Sequence, residues 1–270
     1  MRFGRRHFIK KTVLAVIGLL VIDVFWFEKY VVEWNVFDVS GGRTDKLKVI
    51  QLSDLHLREL KSVHKSLAKR INTEIPDVLF ITGDAITRPR RMALLNDFLH
   101  LIDPKIQKIA ILGNKEYSGH IDLDLLRQTY TKHHGTLLIN ESYVLNLKGR
   151  KVNILGIDDF VHGTPDINKS SENLNPSFTT IILSHCPVYR REIDQTKFAV
   201  ASKPLILAGH THGGQVTFLG RPIFMPYGCG DYIKGWYTNE TSKMYVSKGI
   251  GTTSIPIRFG ARAEANMFYV

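Results

Sequence analysis

The sequence predicts an α/β fold in which two packed sheets carry helices on their outer sides. Three observations point there. Strand-length apolar runs alternate with helical periodicity between residues 47 and 130, as repeated βα units require. A second group of strands follows, with a hairpin turn between two of them. The run Pro204–Ala208 stops at Gly209 with His210 and His212 behind it, which suits a buried parallel strand opening into a site at its carboxyl end.

In chain order, Tyr30–Val39 alternates loosely through Val32, Trp34 and Val36 and reads as a leading strand ending at Gly41-Gly42. Leu47–Leu52 is a strand, and Val63, Leu67 and Ile71 mark a helix ending before Pro76. Val78–Thr82 is a strand; Met92, Leu95, Phe98, Leu99 and Ile102 mark a second helix. Ile109–Leu112 is a strand, and Leu125, Leu126 and Tyr130 fall on a third helix. Thr136–Ile139, Tyr143–Leu147 and Val152–Ile157 read as strands, with a turn at Lys148-Gly149-Arg150. Asp158–Pro176 is polar and long enough for a lid or substrate loop. Thr179–Leu183, Leu205–Ala208 and Met244–Ser247 complete the strands.

Residues 1–27 stand apart from the fold at 28–270. Arg5-Arg6-His7-Phe8-Ile9-Lys10 followed by Val13–Ile22 reads as a charged region and an apolar one, resembling a twin-arginine export signal. With Asp23 interrupting the run and no A-x-A-like cleavage site behind it, an uncleaved membrane anchor is the favoured reading. It puts the domain on the exported side. The rival is a helix lying along the cytoplasmic face of the inner membrane.

With 44% hydrophobic and 23% charged residues, the chain has enough apolar material for a full core. Its net charge is +11, but five of the positive residues (Arg2, Arg5, Arg6, Lys10 and Lys11) lie in the first eleven positions. The mildly basic body favours a membrane surface or phosphate-bearing ligand over nucleic acid, and there is no aromatic-interleaved basic stripe and no zinc-finger spacing. Cys186 and Cys229 read as small buried hydrophobes, with a disulfide as the alternative.

Function enters at the strand ends. Five strands run into metal-type residues: Asp54 and His56, Asp84, Asn114, His185, and His210 with His212. Singly, each has an ordinary explanation as a turn former, helix cap or packed histidine. Five coincidences at one end of a sheet do not. Mixed carboxylate, imidazole and amide donors suit Mn²⁺, Fe²⁺ or Zn²⁺. Seven side chains exceed one ion's needs and fit two that share a carboxylate. Two ions about 3.5–4 Å apart activate a bridging hydroxide and neutralise phosphoryl oxygens for in-line displacement.

In order and spacing, Asp54-x-His56, Gly83-Asp84, Gly113-Asn114, His185 and Gly209-His210-x-His212 resemble the motif series of the calcineurin-like metallophosphoesterases, over about residues 46–270. Gly209–Gln215, Gly249–Thr253 and Pro256–Gly260 are similar to a bacterial branch with an N-terminal signal or anchor, the YkuE/YaeI type. The resemblance implies a four-layer α-β-β-α sandwich of two mixed sheets flanked by helices. It implies Asp54, His56 and His212 on one metal, Asn114, His185 and His210 on the other, and Asp84 bridging. The activity implied is hydrolysis of a phosphodiester or pyrophosphate by metal-bridging hydroxide. A substrate near the bilayer would be lipid-linked; UDP-diacylglucosamine hydrolase is the family precedent, but its reaction is cytoplasmic, so the side of the membrane decides whether it applies. A non-catalytic scaffold of the kind found in a retromer subunit is the alternative, although such scaffolds lose ligands and all seven are present here.

One position departs from the family pattern. Its third motif reads Gly-Asn-His, and the histidine position is Lys115 here. With an ordinary pKa of about 10.4, lysine is a poor proton donor but a good fixed charge, suited to a leaving group that needs little protonation. Otherwise Lys115 points to solvent and His120 or His162 substitutes for it. Asp54, Asp84, Asn114, Lys115 and His210 are the expected catalytic set. Asn114, Lys115 and Arg258 are the expected substrate contacts, with Arg258 and Arg262 alternatively ordinary salt-bridging arginines. Arg88, Arg90 and Arg91 form a basic knot after Asp84, and His64, His100, His133 and His134 read as packing or surface residues.

Overall fold

A computed structural model describes residues 5–196, 200 and 202–270, so Arg2 of the basic run lies outside the described residues. The chain opens with α1 (Arg5–Ile22), a π-helical turn over Asp23–Phe27, the single turn α2 (Glu28–Tyr30) and β1 (Glu33–Asp38). Next come β2 (Lys48–Leu52), α3 (Ser62–Glu74), β3 (Val78–Thr82), α4 (Met92–His100), β4 (Gln107–Ile111), α5 (Asn114–Ser118), α6 (Leu123–Lys132) and β5 (Gly135–Leu138). The second half runs β6 (Glu141–Leu147), β7 (Arg150–Gly156), α7 (Ile167–Ser171), β8 (Thr179–Leu183), α8 (Arg190–Gln195) and β9 (Leu205–Ala208). The hairpin β10 (Thr217–Phe218) and β11 (Arg221–Pro222), then β12 (Gly235–Thr238), β13 (Lys243–Val246) and β14 (Glu264–Tyr269), complete it.

Two mixed six-stranded sheets result, in the orders β1-β14-β2-β3-β4-β5 and β12-β13-β9-β8-β7-β6. The central strands β2, β3 and β4 are parallel and buried on both faces, which is why they read as unbroken apolar runs. Alternate residues divide between two cores. Val49, Phe80 and Ile109 face inward onto Ile154, Ile181, Leu183 and Leu207 of the second sheet. Ile50, Leu79 and Ile81 face outward under Leu67, Ile71, Leu95, Phe98 and Leu126 of α3, α4 and α6. On the far side, Leu155, Ile182 and Ile206 pack under Ile167 of α7 and Ile193 of α8. The layers are α-β-β-α.

Three features differ from the expectation. The C-terminal strand β14 sits between β1 and β2, although Glu264 and Asn266 interrupt its apolar pattern. Both are buried and satisfied: the Tyr245 hydroxyl and the Lys248 N–H donate to Glu264 at 3.1 and 2.9 Å, and Asn266 Nδ2 donates to Ser247 Oγ. Second, Asp158–Pro176 is not a free lid. It contains α7, and its buried Asp158 and Asp159 accept backbone N–H groups from Thr164, Val161 and His162. Third, the segment before residue 28 is partly docked. Val24 O accepts the Arg258 N–H at 3.3 Å, and the Glu28 carboxylate accepts those of Gly260 and Ala261 at 2.7 and 3.0 Å. Before that point, α1 buries none of its residues. Among the described residues no helix is long and apolar enough to cross a membrane.

His64 closes the start of α3, accepting the Lys61 N–H on Nδ1 at 3.0 Å. Burial, helped by Lys61, pushes its pKa down to about 4 from an ordinary 6.5. Neutral in the fold, it stabilises fully above about pH 6.5, and the contribution fades as pH falls towards 4, by about 3 kcal/mol at most. In urea titrations between pH 7 and 4, a His64→Asn chain should therefore lose less stability than the native chain. Parallel losses would rule this out.

Candidate metal centre

All seven donor residues expected from the sequence converge where five strands end. Asp54 and His56 follow β2, Asp84 follows β3, and Asn114 opens α5 after β4. His185 follows β8, and His210 and His212 follow β9. Five of them (Asp54, His56, Asp84, His210 and His212) have left-handed backbone, with φ from 42 to 71°. The chain turns sharply at each strand end, and non-glycine residues at such angles cost about 1–2 kcal/mol each. Cross-links hold these turns: the Asp54 N–H donates to Gly83 O, His56 N–H to Asp84 O and Gly209 N–H to His185 O, at 3.1, 2.9 and 3.0 Å. Gly83 (φ 84°) is required by space as well as angle, because a Cβ there would lie 2.5 Å from His185 Nδ1. A Cβ at Gly209 would likewise collide with Ser53 Oγ and Asp54 Oδ2.

Two donor groups form. In the first, His212 Nε2 is 3.3 Å from Asp54 Oδ1 and 3.1 Å from His56 Nε2. In the second, Asn114 Oδ1 is 3.3 Å from His185 Nε2 and 3.1 Å from His210 Nδ1. Asp84 lies between the two, with Oδ2 3.5 Å from His56 Nε2 and Oδ1 3.6 Å from His185 Nε2. Metal–donor bonds of about 2.0–2.2 Å place neighbouring donors about 2.9–3.6 Å apart, so these separations fit a coordination shell. In Asp54, His185 and His210 the other polar atom is already committed, whereas His56 Nδ1 is buried without a partner. Ser53 Oγ and the His210 N–H donate to Asp54 Oδ2 at 2.6 and 3.0 Å, leaving Oδ1 buried without a hydrogen-bond partner. His185 Nδ1 pairs with Thr82 O at 2.8 Å and His210 Nε2 with Tyr227 O at 2.7 Å, so each ring turns its other nitrogen inward. The residues fit divalent ions.

For three of the four histidines the electrostatics agree. Burial drives the pKa values of His56 and His212 far down and that of His210 to about 4, so three imidazoles are neutral, as ligands must be. Burial opposes charge on His185 too, but Asp84 and Asp54 outweigh it and raise its pKa to about 9. Burial raises Asp84 well above the carboxylate range, with Glu116 and Asp54 adding to it; in Asp54 the neighbouring imidazoles overcome burial and lower it. The carboxylates call for positive charge at the middle of the site. Glu116 positions this middle by accepting the backbone N–H groups of Asp84, Gly113 and Ile86 at 3.0, 2.9 and 3.2 Å.

Above the donors lies a cleft of about 560 Å³, floored by Asp84, Asn114, Lys115, His210 and His212. Lys115 donates its backbone N–H to Asp84 Oδ1 at 2.7 Å; its half-buried side chain lines the cleft and has no hydrogen-bond or ion-pair partner among the described residues. The exposed His120 and His162 do not line the cleft.

Arg258, expected to contact substrate, does not face it. Its guanidinium is fully buried behind His212 and donates to the carbonyls of Gly251, Ala261, Lys248, Gly249 and His212. Arg262 donates to Val31 O at 2.6 Å and stacks on Phe27, again away from the cleft. Arg88 and Arg90 are exposed. Cys186 and Cys229 are free and buried, and Cys186 Sγ donates to Asp159. Ser53 and Asp159 drew no notice in the sequence; adjacency to Asp54 was the only signal for Ser53, and nothing local marked Asp159.

Buried imidazole and carboxylate donors in two groups, joined by one carboxylate under an open cleft, make a metal-dependent phosphoric ester hydrolase the class this fold serves. The family model for calcineurin-like phosphoesterases matches residues 47–214, and the chain belongs to that family. YkuE of Bacillus subtilis, an uncharacterized metallophosphoesterase, is 31% identical over 232 residues, covering 83% of this chain and 79% of its own. YkoQ of the same organism, also uncharacterized, is 26% identical over 279 residues, covering 96% and 99%. Among solved structures, a 5'-nucleotidase precursor from Thermus thermophilus overlays with a TM-score of 0.47 at 14% identity, covering 83% of this chain and 54% of that one.

Replacing Arg258 with Met would leave the carbonyls of Gly251, Ala261 and Lys248 without a donor, while those of Gly249 and His212 keep the backbone N–H groups of Glu264 and Gln215. The variant should lose at least about 3 kcal/mol in urea unfolding. Native stability with only a raised KM would return the guanidinium to the substrate.

Proposed function

We propose that this hydrolase uses two divalent ions to cleave a phosphodiester or pyrophosphate bond in a lipid-linked substrate held at a membrane. The placement of Asp84 between the two donor groups, 3.5 Å from His56 and 3.6 Å from His185, carries the two-ion part of the reading. Asp54, His56 and His212 would hold one ion, Asn114, His185 and His210 the other, and Asp84 would be shared. Mn²⁺, Fe²⁺ and Zn²⁺ suit this donor mixture. When bound, the ions supply Lewis acidity and water of lowered pKa for in-line attack on phosphorus.

The chain's own residues do the rest. Ser53 and the His210 N–H fix the Asp54 carboxylate. Thr82 and Tyr227 carbonyls set the histidine tautomers. Lys115 places a fixed positive charge at the cleft floor, where a departing phosphate oxygen needs charge more than a proton. Pyrophosphate links are therefore preferred over alkyl diesters. Support for a lipid-linked substrate comes from the cleft walls, which are apolar at Val216, Ile223, Phe224, Tyr227, Ile255 and Ile257. A nucleotide sugar bearing acyl chains, as in UDP-diacylglucosamine, has the required polar and apolar parts, and is the candidate on the cytoplasmic face only. The basic, apolar segment 1–27 supports anchoring, with the domain on the exported side; the cytoplasmic face is the alternative. A C-terminal alkaline phosphatase fusion, active only on the exported side, decides between them.

Turnover of bis-p-nitrophenyl phosphate with Mn²⁺ should fall at least about 100-fold in Asp84→Ala; activity that survives would remove the shared-ligand role. Lys115→His should raise alkyl diester turnover relative to pyrophosphate turnover, and an unchanged ratio would reject the leaving-group role of Lys115.

A further inference from the structure

The hairpin β10–β11 carries large apolar side chains out of the body beside the cleft. Phe218 and Leu219 at its tip are 66% and 87% exposed, and Ile223 and Phe224 at its foot are 70% and 75% exposed. Leu219 and Gly220 form the turn with φ of 49 and 78°. Such a turn favours Asn or Gly at both positions. A leucine there has neither a conformational reason nor, in the folded chain alone, a burial reason. Its presence calls for an apolar environment outside the chain.

Three observations identify that environment as a lipid bilayer. First, the apolar surface is continuous with the cleft: Ile223, Phe224, Tyr227 and Ile255 line it and are also exposed. Second, the hairpin and α1 leave the body on either side of one segment, residues 255–260. On one side Val24 O accepts the Arg258 N–H and Lys29 Nζ donates to Pro256 O; on the other Gln215 donates to Ile255 O and the Thr217 N–H to Phe259 O. α1 is itself an exposed helix with Val13, Leu14, Ile17, Leu20 and Val21 uncovered. Third, exposed positive charges accompany both: Arg5, Arg6 and Lys10 on α1 and Arg221 on the hairpin. Apolar tips with basic flanks suit an anionic bilayer surface.

We propose that Phe218 and Leu219 insert into an anionic bilayer as a second contact beside α1, which turns the mouth of the metal cleft towards the headgroups. The proposal rests on reading the cleft as lipid-facing, and its test separates binding from catalysis. Neither tip residue lines the cleft. Full-length chain carrying Leu219→Cys is labelled with an environment-sensitive dye and mixed with phosphatidylglycerol vesicles, with the unsubstituted chain treated alike as background. Dye emission should shift to the blue with phosphatidylglycerol and much less with phosphatidylcholine. A Phe218→Asp/Leu219→Asp chain should bind phosphatidylglycerol vesicles at least tenfold more weakly while turning over soluble bis-p-nitrophenyl phosphate within twofold of native. A dye that stays in water while the chain sediments with vesicles would overturn the proposal and leave the hydrolase reading intact. So would burial of the dye in a dimer without vesicles. Loss of soluble turnover in Asp84→Ala but not in the tip variant keeps the two questions apart.

Discussion

One carboxylate oxygen, Asp54 Oδ1, is buried with no partner, and much of the surrounding structure serves to keep it so. Leaving such an atom unpaired costs on the order of 1–3 kcal/mol in a protein without a ligand. The fold accepts that cost by tying the other oxygen to Ser53 and to the His210 N–H, which stops the carboxylate from rotating away. The same bond from His210 couples the loop after β9 to the loop after β2, one from each sheet. Ligand orientation and sheet docking thus depend on the same few hydrogen bonds.

The backbone around this atom is equally constrained. Gly249 and Gly251 pass so close to Asp54 and Leu55 that a Cβ at either would clash. Their carbonyls are gripped by Arg258, whose remaining bonds reach Ala261, Lys248 and His212. Glu28 receives the next N–H groups along, from Gly260 and Ala261. A connected path runs from the segment after α1, through Arg258, to the His212 imidazole of the donor cluster.

Much of this was legible in the sequence, for a physical reason. Buried parallel strands are apolar throughout, so a polar residue at the end of one stands out, and Asp54, Asp84, Asn114, His185 and His210 all occupy such ends. Strand β14 was hidden because its buried Glu264 and Asn266 are satisfied by residues distant in sequence. Arg258 misled in the opposite sense: an arginine in a chain with this donor series suggests a contact to a substrate phosphate, and only the structure shows its guanidinium turned inward to carbonyls. The two-residue strands of the 217–222 hairpin are too short to leave a pattern.

The donors divide unevenly between the layers: Asp54, His56, Asp84 and Asn114 follow strands of one sheet, and His185, His210 and His212 follow strands of the other. Apolar packing between the sheets resists their separation but has little directional preference, so it restrains sliding weakly. Ions shared across the seam would act as rivets against that sliding, at the edge where substrate enters. With ions bound, the cofactor would then also be a mechanical part, and the alignment of the two halves of the molecule would be set at the donor cluster itself.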